Sequence, residues 1–94
     1  MKNSEDLQKL REEIDKIDKE LVEALAKRMA LIPQVAEFKK NNNVERYQPG
    51  REQEVLQDMR KLATERGLNP DLVENISKLI IADAHRIEKE ILGE

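Results

Sequence analysis

The sequence predicts an all-α protein with three helices per chain, the first of them long, assembled as an intertwined homodimeric helical bundle. Three observations carry this. Asp, Glu, Lys and Arg make up 39% of the 94 residues and aromatics only 2%, with three glycines and three prolines, a composition suited to long helices. Apolar residues fall at positions 7, 10, 14, 17, 21, 24, 31, 35 and 38, the alternating three–four spacing of a helix packed against another helix. A helix over 5–41 would be about 55 Å long at 1.5 Å per residue, whereas a compact monomer of this size has a radius of gyration of ~12–13 Å. Two short helices of the same chain cannot cover that length; the long helix of a second copy can.

The first helix is expected to start at Ser4 as its cap, with Glu5 and Asp6 favourable against the helix dipole, and to fray at Asn41–Asn43. Pro33 removes one intrahelical hydrogen bond and crowds the preceding turn, so the helix should bend there without ending. Gln48-Pro49 opens a second helix, with proline in the first turn, where its missing N–H costs nothing. Its apolar side is Val55, Leu56, Met59, Leu62 and Ala63, and Gly67 followed by Leu68 stops it. Asn69-Pro70-Asp71 starts a third helix, whose stripe is Val73, Ile76, Ile80, Ile87 and Ile91 and which ends near Gly93. No repeat and no long linker divides the chain, so residues 1–94 read as one domain.

Composition also narrows the function. The net charge of −3 argues against nucleic acid as the main partner, since phosphate binding needs a surplus of Lys and Arg on one face. There is no cysteine and only one histidine, which leaves little material for a catalytic triad or a zinc site. No glycine-rich phosphate loop occurs. No apolar run approaches the ~20 residues of a membrane span and no signal peptide opens the chain, so a cytoplasmic location is expected.

What remains is a set of charges in apolar registers. Arg28 falls in the seam of the first helix, and Lys39 lies eleven residues on, within about 20° of the same direction and ~16 Å along the axis. Ile32 and Val35 stand between them, so a small molecule with two negative groups would fit the gap. Arg11 is ~25 Å from Arg28 and about 100° around the helix, out of reach within one chain but available from an antiparallel second copy. Glu52 shares the apolar side of the second helix, next to Arg51. On the third, Ile81, Ala84, His85 and Glu88 share a face. Taken singly, each charge has an ordinary explanation: a snorkelling Arg or Lys, a first-turn Glu, a surface or packing His85. Taken together they describe a pocket for a small polyanion.

These residues carry a resemblance. "LREEIDKID" with Arg11, "LAKRMALIPQVAEFK" with Arg28 and Lys39, "GREQEVL" with Arg51 and Glu52, and "LIIADAHRIEKE" with Glu88 are similar to the corresponding segments of the all-helical chorismate mutases, across essentially the whole chain. The resemblance implies an intertwined dimer with two sites, each completed by an arginine of the other copy. It implies the Claisen rearrangement of chorismate to prephenate in phenylalanine and tyrosine biosynthesis, a unimolecular reaction without cofactor or metal. Arg28 and the second copy's Arg11 would clamp the substrate carboxylates. Lys39 would bond the ether oxygen, Arg51 would add positive potential, and Glu52 would accept the ring hydroxyl. Val35, Ile81 and the second copy's Leu7 would form apolar walls.

Three positions depart from the family pattern. Gln48 stands where Asp is common, Ala84 replaces a hydroxyl residue, and Glu88 replaces the usual Gln that donates to the ether oxygen. A carboxyl donates only when protonated. Burial beside Ile81 and Ala84 favours the neutral acid, and Lys39 with the arginines favours the anion. The same fold also hosts isochorismate-pyruvate lyase and 4-amino-4-deoxychorismate mutase, and a non-catalytic helical dimerisation or regulatory module would share its outline. The Arg51–Glu52 pair, suited to a ring hydroxyl, favours the ordinary mutase.

Overall fold

The computed structural model describes residues 4–94. Among them every regular element is a helix: α1 Ser4–Ala30, α2 Ile32–Asn41, α3 Pro49–Glu65 and α4 Pro70–Leu92. They divide into two compact units, Met1–Leu31 and Ile32–Glu94.

The first unit is α1. It begins at Ser4, so the residue expected to cap the helix is itself helical. It buries none of its residues: Leu7, Leu10, Ile14, Ile17, Leu21 and Leu25 all stand exposed along one seam, Leu21 by 63%. The long first helix predicted over 5–41 is interrupted at Leu31, between α1 and α2. The Leu31 N–H reaches back only three residues, to the Arg28 carbonyl at 3.2 Å. Pro33 is the cause: it has no N–H for the Met29 carbonyl and its ring crowds that turn. It sits instead at the second position of α2, where proline is tolerated.

In the second unit α4 packs against both α2 and α3. Apart from Glu88, the buried positions among the described residues are small: Ala36 on α2, Ala63 on α3, and Ser77 and Ala84 on α4. Small side chains let helix backbones approach closely, and Ser77 satisfies its hydroxyl by donating to the Val73 carbonyl, 2.8 Å away. No large side chain is fully buried among the described residues, while Leu72, Ile76 and Leu79 form an exposed apolar row on α4.

The turns follow their local chemistry. Asn43 adopts a left-handed conformation (φ 52°) just beyond α2, and the Val44 N–H closes back on the Lys39 carbonyl at 2.9 Å. This is a Schellman-type ending with asparagine in the glycine position. Gly67 (φ 73°) ends α3 in the same way, with the Leu68 N–H on the Ala63 carbonyl. Asn69 caps α4 by accepting from the Asp71 N–H at 2.9 Å, ahead of Pro70, as its sequence predicts. Among the described residues no helix is long and apolar enough to cross a membrane.

Candidate active site

Lys39 lies near the end of α2, and the left-handed turn at Asn43 folds the following segment back over it. Its ammonium therefore meets two acceptors: the Arg46 carbonyl at 2.7 Å and Glu88 Oε1, on α4, at 2.8 Å. The side chains of Lys39 and Glu88 are 13% and 7% exposed. Removing two charges from water to this extent is unfavourable unless they are paired and hydrogen-bonded, and here they are both. An ammonium has three N–H donors, so two are committed and one is left for a ligand.

A second chain of bonds runs beside the first. His85, one turn before Glu88 on α4, places Nε2 2.8 Å from Glu52 Oε2 in the first turn of α3. Its Nδ1 lies 2.6 Å from Arg46 Nη1. A guanidinium only donates, so Nδ1 must accept and Nε2 must carry the proton that goes to Glu52. Arg46 also donates through Nε to Glu94 Oε1 at 3.1 Å, and the Tyr47 ring meets the imidazole edge-on at a centroid distance of 6.2 Å. A cleft of about 340 Å³ is lined by Lys39, Arg46 and Leu92 among others; neither Glu52 nor Glu88 lines it.

Of the residues singled out in the sequence, Lys39, Glu52, His85 and Glu88 belong to this cluster. Ala84 is buried and Ile81 partly so, while Val35 on α2 is 42% exposed in the single chain. Gln48 precedes α3, and its side chain donates to the Glu45 carbonyl at 2.9 Å without capping the helix. Arg51 and Glu52, expected to serve the substrate separately, take different partners here. Arg51 turns to Glu54 at 2.5 Å, three residues along an exposed helix face, and Glu52 turns to His85. One helical step between neighbours points their side chains about 100° apart, so Glu52 reaches α4 while Arg51 does not. Nor is His85 a surface or simple packing histidine: it bridges a carboxylate and a guanidinium.

Arg46 went unseen in the sequence because it lies in the loop "NNNVERYQPG", outside any periodic stripe. The only local hint was Asn43 as a helix stop, which says that the loop turns back. Arg11 and Arg28 are exposed residues of α1, in the first unit.

Residues 10–89 match the chorismate mutase type II family. The chain is 35% identical over 85 residues to the T-protein of Enterobacter agglomerans, covering 90% of this chain but 23% of that protein. It is 29% identical over 93 residues to the 4-amino-4-deoxychorismate mutase of Streptomyces venezuelae, covering 99% of this chain and 90% of that one. It is also 29% identical over 90 residues to the chorismate mutase of Methanocaldococcus jannaschii, covering 96% and 91%. With the family matched over that span, and with the helices and paired charges described above, this chain belongs to the chorismate mutase type II family.

Proposed function

We propose that residues 1–94 act as a single chorismate mutase domain, converting chorismate to prephenate in the synthesis of phenylalanine and tyrosine, as a cytoplasmic homodimer. The observation that carries this reading is the buried Lys39 ammonium, held by Glu88 and the Arg46 carbonyl with one donor to spare. In the rearrangement one ether C–O bond breaks while a C–C bond forms within the same molecule. Negative charge grows on the ether oxygen, and a fixed ammonium in a dry site stabilises it more than mobile water does. The remaining work is to hold a flexible dicarboxylate in its reactive shape.

Arg28 and the second copy's Arg11 clamp the two carboxylates, and Glu52 Oε1 accepts the ring hydroxyl. Arg51 contributes only diffuse positive potential from its exposed position. Ile81, Ala84 and Val35 form apolar walls, and the Gln48 backbone faces the substrate. The exposed seam of α1 supports the dimer. Six large apolar side chains in register, with none buried, need a partner helix, and a second copy supplies the same seam.

Glu88 serves the site in two ways. It accepts from the Lys39 ammonium and so fixes it, and it stands beside that ammonium at the ether oxygen. The test is to incubate the purified protein with chorismate, isochorismate and 4-amino-4-deoxychorismate and to identify the products. Prephenate from chorismate is expected. Pyruvate released from isochorismate, or turnover of the amino compound alone, would reassign the substrate.

A further inference from the structure

Glu52 is useful as a hydroxyl acceptor only if one of its oxygens is held in place and the other left open. Among the described residues its Oε2 is engaged by His85 and its Oε1 by nothing. His85 is itself held from the far side, because Arg46 Nη1 donates into Nδ1 and fixes the ring with its proton on Nε2. Arg46 is anchored in turn: Glu94 accepts from its Nε and its own carbonyl accepts from Lys39. The Tyr47 ring closes one side of the imidazole.

We propose that His85 and Arg46 are positioning residues for substrate recognition. They hold the Glu52 carboxylate so that Oε1 reads the hydrogen-bond donor on the substrate ring. The proposal rests on the assignment of Glu52 as the ring-hydroxyl acceptor and adds what orients it. The same chain of bonds ties recognition to catalysis, since one residue, Arg46, fixes His85 through its side chain and Lys39 through its carbonyl.

The ring hydroxyl takes no part in bond making or breaking, so its contact is about as strong in the ground state as in the transition state. Losing such a contact raises KM and leaves kcat nearly unchanged. His85→Leu and Arg46→Met are therefore expected to raise KM for chorismate about tenfold, the loss of roughly one oriented hydrogen bond. His85→Gln keeps an N–H for Glu52 and a carbonyl for Arg46, and should restore most of the affinity. Glu52→Ala should raise KM at least as much, and adding His85→Leu to it should do no further harm. Circular dichroism and sedimentation keep folding failures apart from recognition failures.

If Glu52→Ala leaves KM unchanged, the assignment of Glu52 fails and the proposal falls with it. If Glu52→Ala raises KM but His85→Leu does not, or the double variant is worse by the full product of the two effects, only the positioning role is overturned. Imidazole ¹⁵N shifts test the bond chain without any turnover. An Nε2–H ring is expected at neutral pH, and an Nδ1–H or doubly protonated ring would overturn the proposal.

Discussion

Helices α1 and α4 are built from the same pattern, apolar residues every three or four positions, and they end in opposite conditions. On α4 the pattern is satisfied in part: two helices pack on it, Ser77, Ala84 and Glu88 are buried, and each buried polar side chain has a partner, while Leu72, Ile76 and Leu79 stay exposed. On α1 nothing is buried, and six large apolar side chains remain in a row. A periodic seam thus says that a helix will be covered, but not by what. The polar groups on α4 find partners because helices of their own unit supply them, whereas the apolar face of α1 finds no cover within its own unit.

Breaking that contrast from the α1 side should have the largest effect. Ile14→Glu combined with Ile17→Glu is expected to abolish association and with it most of the helical signal at low micromolar concentration. Each buried Ile contributes about 1.5–3 kcal/mol, and two-fold symmetry counts every substitution twice. Sedimentation and far-ultraviolet circular dichroism across a dilution series would show it. A stable folded monomer of the unaltered chain would remove the reason for the dimer.

A finer version uses the charges of α1. Arg11→Ala and Arg28→Ala chains should each be nearly inactive, yet mixing and refolding them should recover part of the activity, because a heterodimer contains one site with both arginines. Mixtures that stay inactive, with both variants dimeric, would show that the site is not shared between copies.

On α4 the sharper question is Glu88. As a carboxylate Glu88 accepts from Lys39 and has no proton to give to the ether oxygen. Gln at this position accepts from Lys39 through its carbonyl and still donates through its amide. Glu88→Gln is therefore expected to match or exceed the parent in kcat. Glu88→Ala leaves the Lys39 ammonium without its counter-charge and should lose about 10²-fold. A Gln variant as slow as the Ala variant would show that no donor is needed at this position and that the charge on Glu88 is what matters.

The smallest effect is expected on the exposed face of α4. Asp83 is held below its ordinary carboxylate value chiefly by the hydrogen bond from Arg86. A depressed carboxylate contributes stability above its ordinary titration range and loses it as pH falls through the lowered value. Both groups face solvent, so Asp83→Asn should leave the melting temperature at neutral pH nearly unchanged. A drop of several degrees would mean that this pair does more than decorate the surface.

Much of this was legible in the residues themselves. Gly67 and Asn69-Pro70 announced the α3–α4 turn because only a few side chains suit those backbone conformations. Lys39, Glu52 and Glu88 stood out as charges in apolar registers, and the structure gathers all three. The sequence suggested a bend at Pro33 in one continuous helix, whereas the helix is interrupted at Leu31, because a proline disturbs the turn before it. Arg46 and the bridging role of His85 could not be read. Their partners are 39 and 33 residues distant in sequence, and the pairing depends on how one loop folds back after Asn43.

The most direct test is the rate at which chorismate becomes prephenate in the parent protein and in Lys39→Met, followed by loss of chorismate absorbance with the product identified. Methionine keeps the length of the side chain and removes the charge. Rapid formation of prephenate by the parent, and a loss of about 10²–10³-fold in kcat by a variant that remains folded and dimeric, is the expected result. No prephenate from the parent dimer, or equal rates for the two proteins, would contradict the assignment of Lys39 as the group that stabilises the breaking ether bond.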